Sequence, residues 1–111
     1  MKREKSMSQM SETYFIVRGT NSGVFFACNV KRVRWLWRLF GDGKEVKMGW
    51  SRMIHRWEGA AALSQVSVDG IKSGHVCVPV WGRIVLDVCE IIPCTQDAVE
   101  NLLAQPEWRE G

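Results

Sequence analysis

Short runs of β-branched and aromatic residues open the folded part of the chain. YFIV at 14–17 and VFF at 24–26 are separated by a turn-like cluster, Thr20-Asn21-Ser22-Gly23. The pattern predicts a first β-hairpin. Residues 1–12 show no apolar periodicity, so we expect a flexible tail there, followed by one domain over 13–111.

The stretch VKRVRWLWRLF at 30–40 fits both a helix and a strand. As a helix, it places Val33, Leu36, Trp37 and Phe40 on one side. As a strand, it separates two tryptophans, Trp35 and Trp37, from two arginines, Arg34 and Arg38, on the opposite side. The following Gly41-Asp42-Gly43-Lys44 contains Asp-Gly, a strong signal for a two-residue hairpin turn, and therefore favours the strand.

A turn at Asp42-Gly43 fixes a register for this second hairpin. The predicted cross-strand pairs are Leu39 with Val46, Trp37 with Met48, and Trp35 with Trp50. Apolar pairs of this kind each stabilise a sheet by roughly 0.2–1 kcal/mol. On the other side Arg38 would face Lys47, and such a like-charge pair indicates a surface that is well solvated or occupied by anions.

The second half of the chain predicts two helices and two more strands. GAAALSQVSVDG reads as a short helix that ends at Gly70, and Thr95 is the expected N-cap of a final helix. Between them, HVCVPV and RIVLDVCEII are strand-like; Pro79 favours an edge strand, and Trp81-Gly82 is the predicted link. The predicted fold class is α+β: an antiparallel sheet with a long β-hairpin and two short helices.

Composition and charge narrow the class of protein. The 111 residues are 46% hydrophobic and 24% charged, as in a soluble globular domain. No apolar run approaches the roughly 20 residues of a membrane span, so we expect a cytoplasmic protein. The net charge of +3 is unevenly distributed along the chain. Residues 31–58 carry eight basic and three acidic side chains, whereas residues 85–111 carry six acidic and one basic side chain. This predicts an acidic partner or attraction between copies, so a homodimer stays open.

The cysteines and the motifs argue against catalysis. Cys28, Cys77, Cys89 and Cys94 lie in apolar stretches, which is typical of reduced, buried thiols. Zinc binding by His75, Cys77, Cys89 and Cys94 is an alternative, but the spacings differ from those of usual zinc sites. No phosphate-binding loop, metalloprotease pair or nucleophile elbow occurs in the sequence. We therefore expect neither metal, nor cofactor, nor enzymatic activity.

Two sets of residues are candidate binding groups. The basic, aromatic hairpin offers stacking surfaces and cations to a partner. Its candidate residues are Trp35, Trp37, Trp50, Arg34, Arg38 and Lys47. A second set could grip a nucleobase, a nucleotide or a partner's backbone through a planar cation, an aromatic ring and two hydrogen-bonding side chains. Its candidate residues are Arg56, Trp57, Ser64 and Gln65.

Four segments of the sequence resemble a family of small uncharacterised proteins encoded by bacteriophages and prophages. They are YFIVR at 14–18, SGVF at 22–25, RMIHRWEGAAALSQVSVDG at 52–70 and CEIIPCT at 89–95. The stretch from about Asn29 to Trp50 departs from the family, since it is longer and more basic than usual.

The resemblance implies a biological setting in a bacterial host cell. Small non-enzymatic phage proteins are often inhibitors of host machinery, including defence complexes such as CRISPR effectors. We therefore expect a non-catalytic inhibitor that contacts a host protein or ribonucleoprotein complex through the hairpin at 30–52. The alternative is a nucleic-acid or nucleotide binder that uses the same basic, aromatic hairpin.

Overall fold

The computed structural model describes residues 9–33 and 45–109. They form seven strands and two helices, an α+β fold with a mainly antiparallel sheet. The elements are β1 (Met10–Gly19), β2 (Gly23–Arg32), β3 (Val46–Glu58), α1 (Leu63–Asp69), β4 (Ser73–Cys77), β5 (Val80–Val85), β6 (Val88–Thr95), α2 (Gln96–Ala104) and β7 (Glu107–Trp108).

Local signals place most of these boundaries. The first hairpin, β1–β2, turns at 20–22 as predicted, and α1 ends at Gly70, which has a positive φ of 79°. The Thr95 hydroxyl accepts a hydrogen bond from the Ala98 amide at 3.1 Å, so Thr95 is the N-cap of α2, as the sequence predicted. β1 begins at Met10, so residues 10–12 belong to the sheet and not to the predicted tail.

The sheet cannot lie flat, because its two outer strands are joined by a short connection. Its order is β6-β1-β2-β3-β4-β7. β5 pairs with residues 46–51 of β3, and β4 pairs with residues 54–58 of the same strand. In a flat sheet, the four inter-strand steps from β6 to β5 would span about 19 Å. The three residue steps from Val85 to Val88 reach only about 10 Å. The sheet therefore curls, and these two valines pack in one apolar cluster.

Each side of the sheet carries its own apolar cluster. On the helix side, strand residues such as Phe26 pack against both helices, and the buried members are Ile16, Phe26, Ile54, Val66, Ile71, Val76, Cys94, Ala98, Val99 and Leu102. The curled side is packed by strand residues, and its buried members are Val17, Phe25, Ala27, Val46, Met48 and Val85. No helix in the described part of the chain contributes to this second cluster.

The alternation of sides along β2 and β3 changes at Asn29 and Gly49. Trp50 packs against the helix-side cluster, whereas Met48, two residues earlier, is buried in the curled-side cluster. Regular alternation would put both on one side. Asn29 has a positive φ of 55°, a conformation that asparagine tolerates, and an added Cβ at Gly49 would lie 2.9 Å from the Asn29 Cβ. The change of side therefore depends on this Asn–Gly contact.

The register predicted from Asp42-Gly43 is wrong. Val46, Met48 and Trp50 pair on one edge with β2, opposite Arg32, Val30 and Cys28 respectively. On the other edge the same three residues pair with β5, opposite Val85, Arg83 and Trp81. Both edges of this part of β3 are thus occupied by β2 and β5, and residues 35–39, the predicted partners, lie outside the described residues. Trp81-Gly82 is not a link either, since it lies inside β5.

Candidate binding surface

A row of aromatic side chains crosses four strands on the helix side, beyond the area that the helices cover. Tyr14 pairs with Cys28, Cys28 with Trp50, and Trp50 with Trp81. The ring centroids of Tyr14 and Trp50 lie 6.4 Å apart in an edge-to-face arrangement. Trp50 is half-buried, while Trp81 at the end of the row is 71% exposed.

A second row, next to the first, carries two cations. Lys31 lies directly across from Lys47, which in turn pairs with Ile84. Both lysines are exposed, and Ile84 is 44% exposed. Within residues 9–33 and 45–109, no carboxylate forms an ion pair with either lysine. Two like charges directly across a ladder destabilise it unless solvent or an anion screens them.

The two rows face the same side of the sheet. Lys47 lies between Val46 and Met48, which are both buried on the curled side, so its side chain points to the helix side. Trp50 packs against the helix-side cluster, and its cross-strand partner Trp81 shares its side. We call the surface formed by Tyr14, Trp50, Trp81, Lys31 and Lys47 the platform.

The platform corrects one expectation and leaves others untested. Strict alternation placed the tryptophans and the cations of the hairpin on opposite sides, but Trp50 and Lys47 lie on the same side because of the change at Asn29. The other four predicted residues, Arg34, Trp35, Trp37 and Arg38, lie outside the described residues. The described residues that flank this segment lie close together, since the Val33 amide donates to the Glu45 carbonyl at 3.3 Å.

Burial raises the pKa values of the two titratable groups at the centre of the platform, which are neutral at neutral pH. Desolvation raises the pKa of the Tyr14 phenol, with a further contribution from Cys28 beside it. Desolvation likewise raises the pKa of the Cys28 thiol. At neutral pH the charge of the two rows is therefore positive, from Lys31 and Lys47.

Sequence reasoning missed Trp81, the most exposed aromatic residue of the platform. Two signals could have identified it: Pro79 marks an edge strand, and Gly82 allows a break in side-chain alternation within that strand. Gly82 has a positive φ of 80°. Trp81 and Ile84 can therefore lie on one side, although they are three positions apart.

The second predicted set is divided by the fold. Arg56 and Trp57 line a cleft of about 270 Å³ between β3 and β4, together with Glu58, Ser73, Gly74 and His75. Ser64 and Gln65 lie on α1 and do not line it. The Gln65 carbonyl oxygen accepts from the Ala61 amide at 2.8 Å, and the Ser64 carbonyl accepts from the Ser67 hydroxyl at 2.8 Å. These two residues therefore make local contacts around the helix.

The structure does not assemble the alternative zinc site. All four cysteines carry free thiols, and Cys94 is buried, which raises its pKa to about 12. No three His, Cys, Asp or Glu side chains in the described ranges are grouped so that they could hold a metal ion.

In the same ranges, neither helix is long and apolar enough to cross a membrane.

Comparison with known proteins places the chain in a family. The family model described as "Domain of unknown function (DUF6948)" matches residues 12–102. The chain belongs to the DUF6948 family. The match runs from β1 through most of α2 and so includes the whole platform. No curated protein and no solved structure matches the chain.

Proposed function

We propose that this DUF6948 protein is a non-catalytic binding protein that holds single-stranded nucleic acid on the platform. The observation that carries the proposal is that Trp50, Trp81 and the two lysines face one side of the sheet, in an area that neither described helix covers. Exposed aromatic rings stack with unpaired bases, and neighbouring cations meet the phosphates. A duplex hides its base faces, so the platform favours single strands.

The charge of the platform supports this ligand over a neutral one. Lys31 and Lys47 repel each other across the ladder, and a phosphate between them would turn that repulsion into two attractive contacts. The cytoplasm of a bacterial host is the compartment that we propose. Four free thiols are consistent with a reducing compartment, and cell fractionation with an antibody would test the assignment.

Fluorescence anisotropy with a labelled oligothymidylate, an oligouridylate and a duplex of equal length tests the proposal. We expect both single strands to bind more tightly than the duplex. Trp81→Ala should weaken single-strand binding roughly 5- to 150-fold, because stacking of one base is worth about 1–3 kcal/mol. Lys31→Ala/Lys47→Ala should reduce the magnitude of the slope of log K against log salt by about 1.4.

Matched controls separate the platform from the rest of the surface. Leu103→Ala removes another exposed apolar side chain, on α2, and Lys72→Ala removes an exposed lysine after α1. Both should bind like the wild type. Absence of binding to every oligonucleotide, or equal binding by wild type and Trp81→Ala, would refute the proposal.

A protein partner is the second candidate function, because an apolar strip follows the open edge of β5. β3 is the only strand in the described part of the chain that pairs with β5. Ile84 is 44% exposed, and Leu86, directly after the strand, is 68% exposed. An edge strand with apolar side chains can accept a partner's extended segment. Inhibition of a host defence complex by a phage protein stays a prediction from the sequence resemblance.

An affinity capture from bacterial lysate distinguishes the two candidates. A protein partner should remain bound after nuclease treatment and should be lost with Ile84→Asp/Leu86→Asp. Leu103→Asp is the control for a new charge elsewhere on the surface. If the double variant captures the same proteins as the wild type, the edge of β5 is not their binding site.

A further inference from the structure

The cleft between β3 and β4 presents four polar side chains on the curled side of the sheet. Arg56 pairs with His75, and Glu58 pairs with Ser73, so each pair faces one way. Trp57, between Arg56 and Glu58, packs against the helix-side cluster. The four polar side chains therefore point away from the helices, and also away from the platform. We call them the polar cleft.

The polar cleft is open to solvent, since Arg56, Glu58 and Ser73 are exposed and His75 is half-buried. Within residues 9–33 and 45–109, none of these four side chains makes a hydrogen bond, and Arg56 and Glu58 form no ion pair. The Nδ1 atom of His75 is buried and has no hydrogen-bond partner. The exposed charges of Arg56 and Glu58 can engage an external partner, whereas the buried Nδ1 atom of His75 has no accessible surface through which to meet one.

Ring stacking fixes one wall of the polar cleft. The imidazole of His75 stacks on the indole of Trp108 with centroids 4.5 Å apart and planes at 4°. His55 stacks on the same indole at 5.4 Å and 3°. Because the ring of His75 is held between β4 and β7, it needs little reorganisation to meet a ligand.

We propose that the polar cleft binds a small zwitterion, a ligand that carries one carboxylate and one ammonium group. Arg56 receives the carboxylate at one end, beside the His75 ring, and Glu58 with Ser73 receives the ammonium at the other. Residues two positions apart in a strand are about 7 Å apart, so the cation of Arg56 and the anion of Glu58 can each engage one ligand charge. The cleft volume of about 270 Å³ admits a molecule of the size of a free amino acid.

Both charges are needed, and this requirement distinguishes the ligand. A simple anion would be attracted by Arg56 but repelled by Glu58. A simple cation would be attracted by Glu58 but repelled by Arg56. Only a ligand with both groups satisfies the two ends together. This site is independent of nucleic-acid binding, because it lies on the opposite side of the sheet.

NMR titration of the full-length protein with glycine tests the inference. The chain has only two histidines, so its NMR spectrum contains few imidazole ring signals. The variant His55→Phe removes one of them and thereby assigns the resonance of His75. We expect glycine to shift the His75 signal and to bind about tenfold more tightly than acetate or methylammonium, because each charged hydrogen bond adds to the affinity. Arg56→Ala and Glu58→Ala should each weaken glycine binding about tenfold or more.

Controls keep the outcomes separable. Arg18→Ala removes an arginine that pairs with Glu90 at 3.0 Å, on strands β1 and β6, and should leave glycine binding unchanged. Trp81→Ala should also leave it unchanged while abolishing much of the oligonucleotide binding. Glycine that binds no better than acetate, or equally well to wild type and Arg56→Ala, would overturn the zwitterion site without touching the proposal for the platform. Circular dichroism of the substituted proteins should be used to check that each variant in the glycine titration is folded.

Discussion

The two sides of the sheet bury their apolar residues by different means. On the helix side, α1 and α2 lie over the strands and cover Ile16, Phe26 and their neighbours. On the curled side, the described members of the cluster all come from strands, and the short connection from β5 to β6 draws the sheet around it. The two helices cover only the part of the sheet that they contact. Neither described helix covers the part of the helix side that carries the platform.

The covered part of the helix side depends on one buried cation. The Arg52 guanidinium donates to four backbone carbonyls, those of Cys77, Leu102, Val76 and Pro106, at 2.9, 3.0, 3.1 and 3.3 Å. It thereby joins β4 to the C-terminal end of α2, where carbonyls lack helical partners. Burial lowers the pKa of Arg52, while nearby Glu107 opposes that shift.

The largest expected effect comes from removing this cation. Arg52→Met retains most of the side-chain volume but leaves buried carbonyls without donors, so we expect a loss of about 4 kcal/mol in the free energy of unfolding. Arg52→Lys keeps the charge without the planar fork and should lose less. Urea denaturation measures both variants. A change below about 1 kcal/mol in Arg52→Met would mean that α2 is held mainly by apolar packing.

Two aromatic truncations compare the covered and open parts of the helix side. Phe26 is fully buried, so Phe26→Ala should cost about 3–5 kcal/mol in unfolding free energy. Trp81 is 71% exposed, so Trp81→Ala should change stability by no more than about 0.5 kcal/mol. Thermal denaturation of the two variants provides the measurement. If Trp81→Ala were as destabilising as Phe26→Ala, Trp81 would be a packing residue and unsuited to binding.

Local chemistry made part of this architecture predictable. The turn at 20–22, the Thr95 N-cap and the stop at Gly70 all depend on a few neighbouring residues, so the sequence pattern was sufficient for them. The partners of β3 were not predictable, since its true neighbours are β2 and β5, and a turn signal at Asp42-Gly43 carries no information about distant strands. Long-range pairing overrode the local signal.

The candidate site was less predictable than the fold. Lys47 and Trp50 were among the predicted candidates, but their shared side follows from the positive φ of Asn29, which a period-two pattern cannot show. Trp81 was assigned to a link, although it is the exposed end of the aromatic row. The orphaned Nδ1 of His75 depends on packing by Trp108 from the far end of the chain.

The curled side depends on a carboxylate rather than on a buried cation. Asp87, in the connection between β5 and β6, accepts hydrogen bonds from the backbone amides of Asn21 and Ser22 at 2.7 and 3.1 Å, and from the Ser22 hydroxyl. The Thr20 amide donates to the Asp87 carbonyl at 2.9 Å. The connection that curls the sheet is thus joined to the turn of the first hairpin.

The smallest expected effect is on pH dependence. The hydrogen bond from the Ser22 side chain, followed by that from the Asn21 amide, lowers the pKa of Asp87 below its usual value of 3.8. A depressed folded-state pKa gives stability that is fully present above the unfolded pKa and is lost as pH falls through the folded value. Asp87→Asn keeps the shape but removes the charge, so its midpoint of thermal unfolding should lie a few degrees below that of the wild type at neutral pH. The difference should shrink as pH falls below about 4.

Melting curves by circular dichroism between neutral and strongly acidic pH check this expectation. Glu100→Gln, on the exposed side of α2, is the control, because its carboxylate accepts no hydrogen bond from the described residues. If the difference in melting temperature between wild type and Asp87→Asn stayed constant with pH, the substitution would destabilise the protein through altered hydrogen-bond geometry and not through the lost charge. The hydrogen bonds between the two turns would then contribute through geometry alone, and the curl of the sheet would be independent of acid.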